Sequence, residues 1–283
     1  MARRRWGDRR DGTLIRDIDA MHYVMPLIYP NRCDNEAFMT MHVNLEKTEA
    51  YLQKRFEENP GEHMAIFEVV VAAMLKTIWL RPHLNRFIAN KNMYQRNEVT
   101  GAFTVKKNFR DDGDETLARI VAEKGDTIET LNRKILDQIE LCKTGTDEST
   151  DAMNFIQKLP GKKLIGAGAR FLDRHGWMPQ SVIASDPYQC SVVFSNFGSI
   201  GLNIGYHHLM NWGTTSLFCV VGQKQMRAHF DQEGNVSMRK ELGISMTIDE
   251  RISDGFYYSK SLKLLKKLIE NPELLELPIE QEV

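Results

Sequence analysis

Met246-Thr247-Ile248-Asp249-Glu250-Arg251-Ile252-Ser253-Asp254-Gly255-Phe256 joins a strand to a helix. Upstream of it, Gly243 to Ile248 alternates apolar with small polar residues, the period of a strand with two unlike faces. Downstream, Leu262, Leu264, Leu265, Leu268 and Ile269 recur at helical spacing until Asn271-Pro272 stops the pattern. Four charged side chains, Asp249, Glu250, Arg251 and Asp254, are therefore concentrated at a strand end.

Farther upstream, Ser191 to Ser195 and Leu217 to Val221 read as two more strands, and Asp231-Gln232-Glu233-Gly234-Asn235 suits a hairpin turn before the last one. In the first half, His42-Val43-Asn44-Leu45 begins a strand, and Lys47 to Glu58 carries charges at helical spacing until Asn59-Pro60-Gly61. Met64 to Trp79 is apolar almost all round, which predicts a helix packed between a sheet and a further layer. Glu68 and Lys76 interrupt it, so it is not a membrane span. Met93-Tyr94 and Phe103-Thr104-Val105 are short strands, while Ile120, Val121, Ile128, Leu131, Ile135 and Ile139 predict an amphipathic helix or helix pair. Lys143 to Asp151 reads as a surface loop. The whole predicts one mixed α/β domain over 1–283, most of its strands in the second half, with residues 1–20 as a flexible N-terminal arm.

Composition narrows the function. With 37 Lys plus Arg against 38 Asp plus Glu, the net charge of −1 supports neither a nucleic-acid nor a membrane partner. Arg3, Arg4, Arg5, Arg9 and Arg10 read as a solvated terminus. Cys33, Cys142, Cys190 and Cys219 form no paired motif, as expected of a reduced, cytoplasmic protein. The basic start is followed by Gly7-Asp8-Arg9-Arg10-Asp11 where a signal peptide needs an apolar core.

The motif residues resemble the acyl-transfer domain shared by chloramphenicol acetyltransferase and the dihydrolipoyl acyltransferases of 2-oxo-acid dehydrogenase complexes. That family places His-Arg-x-x-Asp-Gly or His-His-x-x-x-Asp-Gly between a strand and a C-terminal helix. Here Asp249, Arg251, Asp254 and Gly255 match, and Glu250 stands at the histidine position. Val192-Val193-Phe194-Ser195-Asn196-Phe197-Gly198 resembles the strand that supplies the family's hydroxyl, and Gly213 to Phe218 with Val221-Gly222 resembles the next strand. Arg81-Pro82-His83-Leu84-Asn85 resembles the turn that follows the family's long apolar helix. The resemblance runs from about residue 38 to the end, and is strongest from Ser191 onward.

It implies a two-layer sandwich with a large mixed β-sheet covered by helices. It also implies a homotrimer with active sites between subunits, and acyl transfer from a coenzyme A thioester to a thiol, hydroxyl or amine. The acceptor is then a small molecule or a lipoyl group on another chain, since this stretch resembles only the catalytic domain, without lipoyl or peripheral-subunit-binding domains.

Such chemistry needs a base of pKa near 7 and a donor for the oxyanion of the tetrahedral intermediate, the latter often worth about 3 kcal/mol. The resemblance assigns the donor to Ser195, beside Asn196. Asp254 inherits the family's structural aspartate, with Arg16 or Arg32 as its partner. Glu250 has an ordinary pKa of about 4.3, so it is a weak base unless an apolar channel raises it. Either Glu250 is a tuned base, or the chain is a silent homologue that binds a ligand or scaffolds a partner. His207 and His208 offer another base, or a packed pair without chemistry. No cluster of spaced ligands joins them into a metal site. Gly166-Ala167-Gly168-Ala169 lacks a dinucleotide fingerprint and reads as a loop or small-residue helix contact. Ser195 lies in no serine-hydrolase elbow.

Overall fold

The computed structural model describes residues 5–61, 63–106, 115–144 and 161–283. Its main sheet has six strands in the order β2-β9-β8-β7-β5-β6. These are β2 (Glu36–Asn44), β5 (Val99–Lys106), β6 (Glu115–Ala122), β7 (Val192–Asn196), β8 (Leu217–Phe230) and β9 (Val236–Asp249). β7 runs parallel to β5 and β8, and the other pairings are antiparallel, so the sheet is mixed. A small sheet of β1 (Gly12–Leu14), β4 (Asn92–Arg96) and β3 (Arg86–Ala89) lies apart from it. The helices are α1 (Ala20–Ile28), α2 (Glu46–Glu58), α3 (Ile66–Leu80), α4 (Ile128–Thr144), α5 (Lys162–Arg174), α6 (Gln180–Ser185) and α7 (Gly255–Glu270). This is the expected two-layer architecture.

Period-two alternation gives the main sheet two unlike faces. Val192, Phe194, Leu217, Cys219, Ile244, Met246 and Ile248 point into the large core, which α3 fills with Val69, Val70, Leu75 and Ile78. Each such side chain taken from water contributes about 1.5–3 kcal/mol. The two charges that interrupt α3 are used locally. Glu68 accepts the Ala65 N–H at 2.9 Å, at the start of the helix. The buried Lys76 ammonium donates to the carbonyls of Leu277 (3.0 Å) and Pro278 (2.8 Å) and ties the C-terminal segment across α3.

Several boundaries depart from the sequence reading. His42 to Asn44 end β2 instead of beginning it, because the strand follows its partner β9 from Glu36 on. Ile120 and Val121 lie in β6, and only Ile128 onward is helical. Their three- and four-residue steps run across a strand end and a helix start. Six of the nine described strands precede residue 123, so they do not crowd the second half. The Asp231–Asn235 turn forms as expected, with the Asp231 N–H bonded to the Asn235 carbonyl at 3.1 Å. Of the proposed loop, Lys143 and Thr144 end α4, and residues 145–151 fall outside the described residues.

From residue 5 the N-terminal arm is built into the fold. Arg9 is buried, pairs with Asp11 at 2.8 Å and Asp173 at 3.1 Å, and lies over the rings of Phe87 and Tyr94. Arg3 and Arg4 fall outside the described residues. Lys76→Ala would leave two half-buried carbonyls without this donor. A loss of about 2–3 kcal/mol is expected in urea unfolding, with an unchanged slope.

Candidate active site

β9 ends at Asp249, which is fully buried and sits opposite Glu36 of β2. Its carboxylate takes both prongs of Arg251, Nε at 2.8 Å and Nη2 at 2.7 Å. Arg32 approaches from the other side, its Nε 3.6 Å from Asp249 Oδ2. The remaining guanidinium donors go to main-chain carbonyls. Arg251 reaches Tyr29 and Pro30, and Arg32 reaches Met210 and Gly213. Burial pulls the Arg32 guanidinium below its ordinary value, and Asp249 opposes that. Tyr258 donates to the Asp249 carbonyl at 2.9 Å, and burial, then the charges of Asp249 and Glu250, hold its hydroxyl well above its ordinary value.

This arrangement corrects the expected role of Asp254. Neither Arg16 nor Arg32 is its partner, since Arg16 pairs with Asp8 at 3.1 Å and Arg32 with Asp249. Asp254 is exposed and caps α7, accepting the Tyr257 N–H at 2.8 Å. Asp249 is the buried structural carboxylate. Its two-residue offset from Arg251 is the signal in the sequence that points to this role. Gly255 opens α7 in the open, and a Cβ there would meet nothing within 4 Å.

Glu250 follows Asp249 in a single turn, its N–H fixed to the Asn35 carbonyl at 2.9 Å. Its side chain is exposed, and no hydrogen bond or ion pair engages it among the described residues. Ser195 lies near the end of β7 on the polar face, half-buried, its hydroxyl without a hydrogen bond among the described residues. The register runs Ser195–Val220–Ser245, and Glu250 is five residues beyond Ser245. Two inter-strand steps and five residues of rise put Ser195 and Glu250 about 19 Å apart in one chain. The fold alone does not bring them together.

The segment after β7 covers the polar face. Tyr206 packs edge-on against Phe38, with centroids 5.1 Å apart, and bonds Thr40, while Ser245 donates to the Gly205 carbonyl. Gly213 holds φ at +70°, and a Cβ there would lie 2.3 Å from the Tyr188 carbonyl oxygen. The His207 ring stacks on Phe218 at 4.1 Å, and His207 and His208 bond through Nδ1 to the carbonyls of His208 (2.9 Å) and Leu209 (3.0 Å). A carbonyl only accepts, so in these bonds each ring donates through Nδ1. Phe218 is opposite Val193, one strand over and two residues back from Ser195, a separation of about 8 Å. His207 and Ser195 thus share one face of one chain. His208 is exposed.

Beyond the end of β7, a cavity of about 810 Å³ lies between α2, the start of α3 and the bulge of β8, lined among others by Phe56, His63, Asn196, Ser199 and Gln223. Asn196 accepts the Ser199 N–H at 3.2 Å and shapes the turn beside Ser195. Two further groups escaped the sequence reading. Arg96, drawn down to about 10 by burial, donates to the carbonyls of Gln189 (3.1 Å) and Thr214 (2.8 Å) and anchors the segment that leads into β8. His83 stacks on Tyr257 at 4.4 Å beside the start of α7, with Arg81 3.8 Å above the same ring. Among the described residues no group of three or more His, Cys, Asp or Glu is placed to hold a metal, and no helix is long and apolar enough to cross a membrane.

The mixed six-stranded sheet, helices on one face and polar motif residues on the other, is the architecture of chloramphenicol-acetyltransferase-like acyltransferases. Residues 183–277 match the family model of the 2-oxoacid dehydrogenases acyltransferase (catalytic domain). Among solved structures, the chain is similar to the cubic core of the pyruvate dehydrogenase multienzyme complex, with a TM-score of 0.61, 15% identity, and 94% of this chain and 95% of that one covered. A dihydrolipoamide acetyltransferase of Azotobacter vinelandii, studied for the catalytic roles of a serine, a histidine and an asparagine, aligns at TM-score 0.59 and 15% identity, with the same coverage. A chloramphenicol acetyltransferase aligns at 0.54 and 14%, covering 93% of this chain and 99% of that one. No curated protein matches.

Two measurements check the geometry. Asp249→Asn leaves two buried guanidinia facing a neutral amide and is expected to cost about 3–5 kcal/mol in thermal unfolding, whereas Asp254→Asn keeps a capping oxygen and is expected to cost under about 1 kcal/mol. Burial, then the charges of Arg86, Arg81 and His22, hold His83 down at about 4. The unfolded chain binds this proton first, so stability is full above about pH 6.5 and falls as the pH drops toward 4. The urea midpoint of His83→Asn is expected to fall less over that window than that of the wild type.

Proposed function

We propose that this chain is a coenzyme-A-dependent acyltransferase whose active site is completed by a second copy in a homotrimer. The observation that carries the reading is Ser195, an unbonded hydroxyl on the polar face about 19 Å from Glu250 of its own chain, while a cavity of about 810 Å³ opens past the end of its strand on the helical side, lined by Asn196 and Ser199. That volume lies within the range of about 300–1,000 Å³ usual for small-molecule sites and suits the arm of an acyl thioester. Ser195 donates to the thioester carbonyl oxygen as the acceptor adds and that oxygen becomes an oxyanion; Glu250 of the adjoining copy takes the acceptor's proton and returns it to the coenzyme A sulfur as the C–S bond breaks and the free thiol leaves. His207 Nε2 is the alternative base within the chain.

Association is supported by an arm beyond the β8 bulge. Met226, Phe230, Val236 and Met238 are all more than half exposed and lie on one side of a two-stranded ribbon. A ribbon of two strands is marginal in water without a partner on its apolar side. The acceptor is a small thiol, hydroxyl or amine, or a lipoyl group on another chain, and the setting is the cytoplasm, in keeping with four free cysteines.

A second reading, a silent ligand-binding or scaffolding trimer, draws on the exposed, unpaired state of Glu250. Acetyl-CoA turnover with thiol acceptors separates the two. The wild type is expected to turn over, Ser195→Ala to lose about 10²–10³-fold, and Glu250→Gln to lose a comparable factor. Activity that survives Glu250→Gln but not His207→Asn would move the base to His207. A wild type inert with all acceptors, while Glu250→His is active, would establish the silent reading.

A further inference from the structure

One departure from ordinary burial outside the motif region is α5. An amphipathic helix in a globular domain normally turns its apolar arc inward. In α5 that arc faces out, with Leu164 81% exposed, Phe171 53% and Leu172 38%, and Trp177 just beyond the helix is 59% exposed. Residues 164, 171 and 172 are seven and eight apart and share one side of the helix. A cation directly precedes two of them, Lys163 before Leu164 and Arg170 before Phe171, and Arg174 continues the basic stripe one turn on. The helix's one carboxylate, Asp173, is committed to Arg9 at 3.1 Å and Gln189 at 3.1 Å. A groove of about 760 Å³ follows the basic stripe, floored by Gly166 and Ala167 and walled by Lys163, Arg170, Arg174 and Phe171. Gly166 and Gly168 therefore serve no helix contact, and a Cβ on either would meet nothing within 4 Å.

We propose that α5 docks on an anionic lipid surface, with Leu164, Phe171, Leu172 and Trp177 entering the acyl boundary and Lys163, Arg170 and Arg174 against the phosphate headgroups. Phosphate attached to hydrocarbon presents the same pairing of charge and apolar area as the helix, across a plane wide enough to meet its whole length. An acidic peptide would match the cations and leave the apolar stripe in water. The near-neutral charge of the whole chain conceals this patch because it is local.

The full chain is mixed with vesicles of equal parts phosphatidylcholine and phosphatidylglycerol, or of phosphatidylcholine alone, and the sedimenting fraction is measured. The expected result is at least about tenfold stronger binding to the anionic vesicles, weakening between 50 and 500 mM salt as the Debye length shrinks from about 14 to about 4 Å. Lys163→Glu/Arg170→Glu and Leu164→Glu/Phe171→Glu should each lower it about tenfold or more, with circular dichroism and oligomer mass unchanged. Equal binding to both vesicles, no binding to either, or binding retained by both double variants would overturn the proposal. So would complete displacement by millimolar inorganic phosphate, which would make the groove a site for the free ion. A fall in oligomer mass on Leu164→Glu/Phe171→Glu would do the same, assigning the apolar stripe to a contact between copies.

Discussion

Asp249 is the constraint on which this structure turns. A carboxylate without solvent access survives only when charge and hydrogen bonds both compensate it, and two guanidinia do so here. One carboxylate against two guanidinia leaves an excess positive charge, which the carbonyls of Tyr29, Pro30, Met210 and Gly213 absorb. Those carbonyls belong to the end of α1 and the segment leading to β8, while the carboxylate ends β9. Pieces of chain distant in sequence thus meet at one buried charge. The exposed turn carrying Glu250 hangs from this knot, so its position is set by a structural carboxylate one residue away.

From that corner the sheet divides its work between two faces. The helical face is dry and hydrocarbon, with α3 at its centre, and contributes most of the burial. The other face carries Ser195, Ser245, Thr247 and Thr40, which aliphatic packing alone would leave unsatisfied. A long segment answers this by laying backbone carbonyls and aromatic rings over it. Polar side chains on a buried face cost stability unless hydrogen bonds compensate them.

The distance between Ser195 and Glu250 separates what a single chain folds from what an assembly does. Sheet register holds them two strands and five residues apart, and no rotation of side chains crosses about 19 Å. The single chain does bring Ser195 and His207 to one face, and it opens a large cavity on the helical side past Asn196. The ribbon of β8 and β9 leaves Met226, Phe230, Val236 and Met238 exposed on one side.

Period and motif were legible in the sequence alone. The alternation through Gly243 to Ile248, the apolar girdle of α3, the hairpin at Asp231 to Asn235 and the ordered pair of motifs around Ser195 and Glu250 pointed to the two-layer fold. Each of these is a local pattern, and the two motifs are tied only by their order along the chain. The partner of a buried charge is not local. Arg32 is 217 residues from Asp249 in the chain, and Arg9 is 164 from Asp173, so only tertiary packing decides that these pairs form while Asp254 serves as a cap. The N-terminal arm looked solvated for the same reason, since an arginine's burial depends on a carboxylate that arrives from elsewhere. The outward apolar arc of α5 is the converse case, where sequence shows amphipathicity and only the fold shows which way it faces.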